Sequence, residues 1–498
     1  MRVPRWAAVL TVVGSLLGPI SATADEAELQ QRLEQLEEQQ KKMMEEMQRL
    51  RQELEKAKAE KALQPKPVEV APAPVPVPAP AAAAAAPAED VKEVQRRQVI
   101  LTEEVRRLRE MLVLPENKQM KSYYGLGPAA SKVYEMNPGL SIGGYGEANY
   151  GAVLSDKEAE QNRFDFVRFV LYVGYKFNDW IVLNSEIEFE HATTEESVSS
   201  ESGSVNVEFA TLDFLLNPMA NVRGGLILLP VGFINMTHEP PFYFGNTRPP
   251  VETQIIPTTW SANGAGLYGT LIEGLTYQTY GLVSLNAKGF TNENIRDARQ
   301  GGNNELANDW SWVARLDYTP INEVIAGGSV FLGNQGQGEL YGNDVDGFLK
   351  PNVFTNLWEA HVQAQYQGAW FRLLGTTAHF NDAAILSRDE FIEANTDGEP
   401  IASNILGIYT EVAYDVMPWI LDDTAQYLAP WFRYSWLDTQ NNVPAGFVPD
   451  KADRRWFYEF GLQYKPIPQI VLKLDYHIEE TAGGPAPDVL RIGGGFIF

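Results

Sequence analysis

From Leu29 a seam of positions recurs at alternating spacings of four and three: Leu29, Leu33, Leu36, Gln40, Met43, Met47, Leu50, Leu54 and Ala57. Glu, Gln, Lys and Arg fill the places between them. This period predicts a coiled coil over residues 25–63, with Gln40 setting register at some cost in stability. A single solvated helix is the alternative, and the apolar stripe argues against leaving that face wet. Residues 64–89 then turn Pro- and Ala-rich, including "APAPVPVPAP", a composition that buries no core and predicts an extended polyproline linker. Val91, Val94, Leu101, Val105, Leu108 and Leu112 mark a second helical, coiled-coil-like segment at 90–114, and a connector follows at 115–138.

From Gly139 the period becomes two. Sixteen candidate strands follow, at 139–150, 163–177, 180–191, 204–216, 219–229, 264–272, 275–285, 308–318, 323–333, 354–366, 369–379, 401–414, 426–438, 454–464, 469–478 and 488–498. Most are longer than a globular strand of about five or six residues, and long enough to cross a bilayer at a tilt. Their connections alternate. Asn178-Asp179, Asn217-Pro218, Glu273-Gly274, Thr319 to Asn322, Gln367-Gly368 and Lys465 to Pro468 are tight, with a longer turn near Pro418. Between them lie loops of roughly nine to thirty-five residues, the arrangement of an outer-membrane barrel with short turns at one end and long loops at the other.

The alternation inside single strands agrees. "WFYEFGLQY" sets Trp456, Tyr458, Phe460, Leu462 and Tyr464 against Arg455, Glu459, Gln463 and Lys465, and "IVLKLDYHIE" sets Ile470, Leu472, Leu474, Tyr476 and Ile478 against Lys473, Asp475 and His477. Apolar faces toward lipid and polar faces toward a wet interior are the inverse of a soluble barrel. The sequence therefore predicts an all-β transmembrane barrel of sixteen antiparallel strands over 139–498, preceded by an α-helical coiled coil. Closure would pair the last strand, "LRIGGGFIF", with the first, because lipid offers the backbone no partners. Trp180, Trp358, Trp370 and Trp431, near strand ends, are candidates for interfacial girdles, with plain packing as the alternative for each one individually. "GGYGEANYG" opens a strand and precedes no helix, so its glycines suit curvature or close backbone approach better than a nucleotide cradle.

Composition narrows this picture. Arg2 and Arg5, an apolar run from Trp6 to Leu17 and the small-x-small Ala22-Thr23-Ala24 predict a signal peptide over 1–24. With no cysteine, the exported chain holds together without disulfides. A formal charge of −25 argues against nucleic acid as a partner. His191, His238, His361, His379 and His477 show no zinc-binding spacing, so neither metal nor cofactor is expected.

The segments "FVLYVGYKFNDWIVLNSEIEFEHA", "GLILLPVGFINMTHEPPFYFG" and "IIPTTWSANGAGLYG" resemble the phosphate-selective porin O and P family over about residues 139–498. A coiled coil ahead of such a barrel is similar to the arrangement of dicarboxylate-associated porins. The resemblance implies a homotrimer in the outer membrane of a Gram-negative bacterium, surrounded by lipid and lipopolysaccharide, with the amino-terminal arm in the periplasm. It implies a passive channel for small polar solutes, anions such as phosphate or dicarboxylates among them, and no catalytic residue. Phosphate-selective relatives are expected to carry lysine-rich loop segments; the third loop here, 230–263, has no Lys, so phosphate specificity does not follow. Two other classes stay open: an enzyme on a barrel scaffold, which needs a Ser, His and acid at the outer wall or mouth, and a tether whose arm grips peptidoglycan or a periplasmic partner.

The third loop is the longest, and "HEPPFYFGNTRPPVETQIIPTTW" is stiff with proline and aromatic residues. Third loops of porins fold inward, which makes His238, Glu239, Arg248 and Glu252 the candidates for a constriction. The same prolines and Trp260 also suit a loop packed on the inner wall with its charges exposed above. On the strands, Arg168, Arg223, Arg315, Arg433, Arg455, Lys473 and Arg491 take inward positions and are candidate pore-lining residues. Such a track favours anions. Glu186, Glu188, Glu190, Asp317, Glu359, Glu459 and Asp475 share those faces, which favours a mutually neutralised wall over a dedicated anion track.

Overall fold

The computed structural model describes residues 121–155, 161–191, 203–341, 349–388, 399–422, 424–484 and 486–498. All of them belong to one compact unit, Pro115–Phe498. The expected signal peptide, both coiled-coil segments, the linker and the first residues of the connector lie outside the described residues.

Sixteen antiparallel strands close into a barrel in which each pairs with its neighbours in sequence and the last pairs with the first. They are β1 Gly139–Val153, β2 Arg163–Lys176, β3 Ile181–Glu190, β4 Ser204–Asn217, β5 Ala220–Leu228, β6 Ser261–Ile272, β7 Leu275–Val283 and β8 Trp310–Ile321. The second half comprises β9 Val324–Asn334, β10 Phe354–Tyr366, β11 Ala369–Phe380, β12 Asn404–Tyr414, β13 Tyr427–Asn442, β14 Arg454–Ile467, β15 Ile470–Thr481 and β16 Val489–Ile497. Closure runs from Tyr145 opposite Ile497 to Val153 opposite Val489, and beyond it Phe498 and Gly144 exchange backbone hydrogen bonds of 2.9 and 3.1 Å.

Local chemistry makes the tight turns. The side-chain oxygen of Asn178 accepts from the N–H groups of Trp180 (3.0 Å) and Ile181 (2.8 Å), and Asn217 does the same for Met219 and Ala220. Gln367 and Gly368 both have positive φ, 48° and 84°, as a two-residue hairpin turn with the sheet's own twist requires.

Side-chain alternation follows the sequence pattern along most strands. On β14 and β15, Phe460 is 46% and Leu472 52% exposed on the outside, while Glu459 and Asp475 are 0% and 1% exposed within. A bulge breaks the pattern in β4: Glu186 faces Phe209 but Ile187 faces Val207, so the slip at Glu208 turns Phe209 inward after the outward Val205 and Val207.

Two departures from the expected picture concern the interior. Residues Pro128–Glu135 of the expected connector form a helix, α1, started by proline at its first turn and lodged against the inner wall of β1, β2 and β3. Gly143 and Gly174 leave room for it. A Cβ at Gly143 would stand 2.9 Å from the carbonyl oxygen of Ala129, and one at Gly174 would stand 2.8 Å from Val133. Trp370 and Trp431 are not girdle residues. They turn inward onto Phe244 of the third loop, with ring centroids 4.8 and 5.9 Å away, because they share strand parity with the inward Arg372 and Arg433. Trp180 and Trp358 do face outward.

An outer wall that meets lipid predicts that Phe460→Arg, near the middle of β14, costs about 2–4 kcal/mol of folding stability in phospholipid vesicles. A change near zero in denaturant titrations would place that face in water.

Candidate functional site

The third loop, residues 229–260, lies inside the barrel, so the inward-folding expectation holds for its position. Its two ends are clasped by Asn235, whose side chain donates to the carbonyls of Leu229 (2.7 Å) and Trp260 (3.0 Å) and accepts from the Trp260 N–H at 2.7 Å. Leu229, Val231, Val251, Ile255, Ile256 and Trp260 then form an apolar cluster with Leu282, Val313, Phe331, Leu357 and Leu374 of the wall. Part of the inner surface is therefore dry core, and the wet interior is confined to what the loop leaves open.

All four loop candidates are buried. Glu252 braces the loop itself, accepting from the N–H groups of Phe233 and Ile234, each at 2.8 Å, and from the Tyr409 hydroxyl. Burial raises its pKa. His238 presents Nε2 to Glu186 at 3.0 Å and Nδ1 to the Asn235 carbonyl at 3.1 Å. Glu239 holds α1: its carboxylate accepts from the N–H groups of Ala129 (2.9 Å) and Ala130 (3.1 Å), satisfying two amides that a helix start leaves open. Its burial still outweighs those bonds and pushes its carboxyl up to about 7. Arg248 differs from the other three. It is 8% exposed, and its Nε and Nη2 have no hydrogen-bond partner among the described residues.

The seven wall cations divide by partner. Arg168 meets Glu147 and Glu188, each at 2.9 Å. Arg223 forks onto Asp213 at 2.8 and 2.9 Å and reaches the Tyr134 hydroxyl of α1 at 3.2 Å. Arg315 pairs with Asp317 at 2.7 Å and donates to the Gly232 carbonyl. Arg433 lies between Glu411 and Glu459, each at 2.9 Å, and donates to the Phe244 carbonyl at 2.7 Å. Arg455 is held loosely, 3.6 Å from Asp453 and 4.0 Å from Glu479. Lys473 donates to the Gly245 carbonyl at 2.8 Å, and Arg491 keeps Nη1 without a partner among the described residues.

Sheet register organises several of these charges. Arg372, Glu411, Arg433, Glu459 and His477 stand directly opposite one another across β11 to β15, a row of alternating sign around the wall. Among the described residues, two cavities lie inside the barrel. One of about 720 Å³ opens among residues of the turn end, including Thr276, Thr319, Gln365 and Lys465, and the amino-terminal Ser122 and Gly125 also line it. The other, about 510 Å³, lies toward the long loops and takes in Arg168, Arg248, Arg296, His477 and Arg491. In the fourth loop, burial and then the guanidiniums of Arg299 and Arg248 push Arg296 down to about 10. Sequence reading missed α1 and Tyr243, which lies between these spaces. The proline at Pro128 was the one signal for the helix.

No protein-family model matches the chain. A protein of Aquifex aeolicus (strain VF5), described as an uncharacterized protein, is 35% identical over 391 residues, which is 78% of this chain and 86% of that protein. The chain belongs to the family of that Aquifex protein. Solved structures similar to this family member include outer-membrane channels. Salmonella typhi OmpF in complex with daunomycin is 12% identical with a TM-score of 0.47, covering 73% of this chain and 98% of that one. The outer membrane channel DcaP of Acinetobacter baumannii is 11% identical with a TM-score of 0.46, over 73% and 98% of the two chains. An anion-selective porin from Comamonas acidovorans is 10% identical with a TM-score of 0.43, over 72% and 99%.

Two outcomes test the interior of this family member. Arg433→Met removes the nearest counter-charge of buried Glu411 and Glu459, leaving them, among the described residues, only Arg372 at 3.7 Å and His477 at 3.3 Å, and should cost about 3–5 kcal/mol in denaturant midpoints, most of it recovered when Glu411→Gln and Glu459→Gln are added. Between pH 4.5 and about 7 the folded chain keeps on Glu239 a proton that the unfolded chain has released, so stability falls as pH rises through that window. The thermal midpoint of wild type relative to Glu239→Gln should therefore decline from the acid side to the neutral side.

Proposed function

We propose that this protein is an outer-membrane channel for passive diffusion of small polar solutes, working as a homotrimer in a Gram-negative envelope with its amino-terminal arm in the periplasm. The observation that carries the reading is a lipid-compatible closed barrel whose interior holds a cavity toward each end. No step requires a reacting group, because flux down a gradient depends only on width and on the charge along the path. An enzymatic reading gains nothing from the hydroxyl of Ser329, which donates to Glu359, while Glu359 in turn contacts His361. That order separates hydroxyl from imidazole, whereas a nucleophilic serine needs the two in contact.

A preference for small anions such as phosphate or dicarboxylates draws support from the loop-end cavity. Arg248 and Arg491 line it and carry donors without partners among the described residues, whereas Glu147 is already engaged with Arg168. The spacing of Leu29 to Ala57 in the sequence supports self-association of the arm, and the polar residues between them suit contact with peptidoglycan or a periplasmic partner.

The test is conductance in a planar bilayer followed by reversal potential in a potassium chloride gradient. Open steps and a reversal potential on the anion side are expected. Arg248→Ala together with Arg491→Ala should move the reversal potential toward cations. A silent bilayer would remove the channel reading, and an unmoved reversal potential would remove the two arginines from its selectivity.

A further inference from the structure

The loop-end and turn-end cavities have a single lining residue in common, Tyr243. Its ring is 1% exposed. On one side its hydroxyl donates to Glu147 of β1. On the other, the ammonium of Lys473 on β15 stands 3.6 Å from the ring centroid, itself fixed by the Gly245 carbonyl at 2.8 Å. Since β1 and β15 flank β16, the ring bridges between two stretches of wall that the closing strand separates.

The main chain on either side of Tyr243 has little room. Ahead of it, Pro240 and Pro241 open a helical turn, and Pro240 lies so near β16 that a Cβ on Gly495 would stand 2.5 Å from it. Behind it, Gly245 has φ +77°, and a Cβ there would meet the Trp431 ring at 3.1 Å. The carbonyls of Phe244 and Gly245 are both held by wall cations, Arg433 and Lys473. With its backbone pinned, the segment's remaining freedom is rotation of the phenol about its side-chain bonds. Glu147 and Lys473 hold that ring by one charge-assisted hydrogen bond and one cation–π contact, and both re-form on return.

Resting on the channel reading, we propose that Tyr243 is a movable partition between the two cavities, so that solutes cross when its ring swings away from Glu147 and Lys473. The loop then closes the path at rest rather than merely narrowing it. Displacing the ring also uncovers one carboxylate oxygen of Glu147, whose other oxygen stays on Arg168, and the ammonium of Lys473, so the open passage presents groups of both signs. Solutes that present an anionic group to Lys473 and a hydrogen-bond donor to Glu147 replace both contacts that the ring gives up. Small hydroxylated or amino-bearing carboxylates meet that requirement, and apolar solutes of the same size do not.

Single-channel recording on the full-length protein distinguishes the possibilities. Wild type is expected to open briefly from a closed baseline. Tyr243→Phe keeps the ring but loses the bond to Glu147, and should raise open probability with unchanged step size. Tyr243→Ala removes the partition, and should abolish those closures and raise the step by at least about twofold. Wild-type behaviour in both variants overturns the proposal while leaving the channel reading intact; silence of wild type and Tyr243→Ala alike overturns the channel reading itself. If Tyr243→Ala does not refold, as judged by the barrel's heat-dependent gel mobility, Tyr243→Phe decides alone, and an unchanged open probability overturns the proposal.

Discussion

A chain segment in hydrocarbon must satisfy every backbone N–H and C=O from within the protein. In this molecule the demand is met by one junction, β16 on β1, without which the other fifteen pairings would leave two bare edges in lipid. Strand length, tight turns on one side and the outward apolar residues all follow from the same requirement. So does the difficulty inside: a closed sixteen-strand wall encloses more space than its own side chains fill.

The chain fills that space with itself. The third loop spreads an apolar core over one sector of the wall, and α1 takes another beside β1, β2 and β3. Polar groups trapped between these layers are held by partners distant in sequence, as Glu239 is by Ala129 and Ala130 and Arg433 by Phe244. Charges in such a setting act less as a track for solute than as fasteners between insert and wall. The exceptions are Arg248 and Arg491, which line the cavity toward the long loops and keep donor nitrogens without a partner among the described residues.

Strand number and order were legible because a two-residue period persists wherever one face meets lipid and the other does not. In β14 the alternation from Trp456 to Lys465 assigns each residue to its observed side. The slip at Glu208 was not legible, since a bulge adds a residue without altering composition. Which of the two readings holds for Trp370 and Trp431 was not legible for a related reason: an aromatic residue near a strand end suits an interface with lipid and a ring-on-ring contact with Phe244 equally well. The inward cations could be listed from parity, but their pairing depends on register between strands some twenty residues apart, as for Glu411 and Arg433. Helix α1 is too short for a periodic signal, and Tyr243 sits in a proline-rich loop that has no period at all.

The link between Glu239 and α1 also orders events in time. Helix α1 precedes the first strand, yet the carboxylate that satisfies its leading amides comes 109 and 110 residues later, after β5. A chain threading into the membrane from its amino terminus would carry those amides uncapped through its first two hairpins. Helix α1 is thus locked only after five strands have followed it, and the third loop is what locks it.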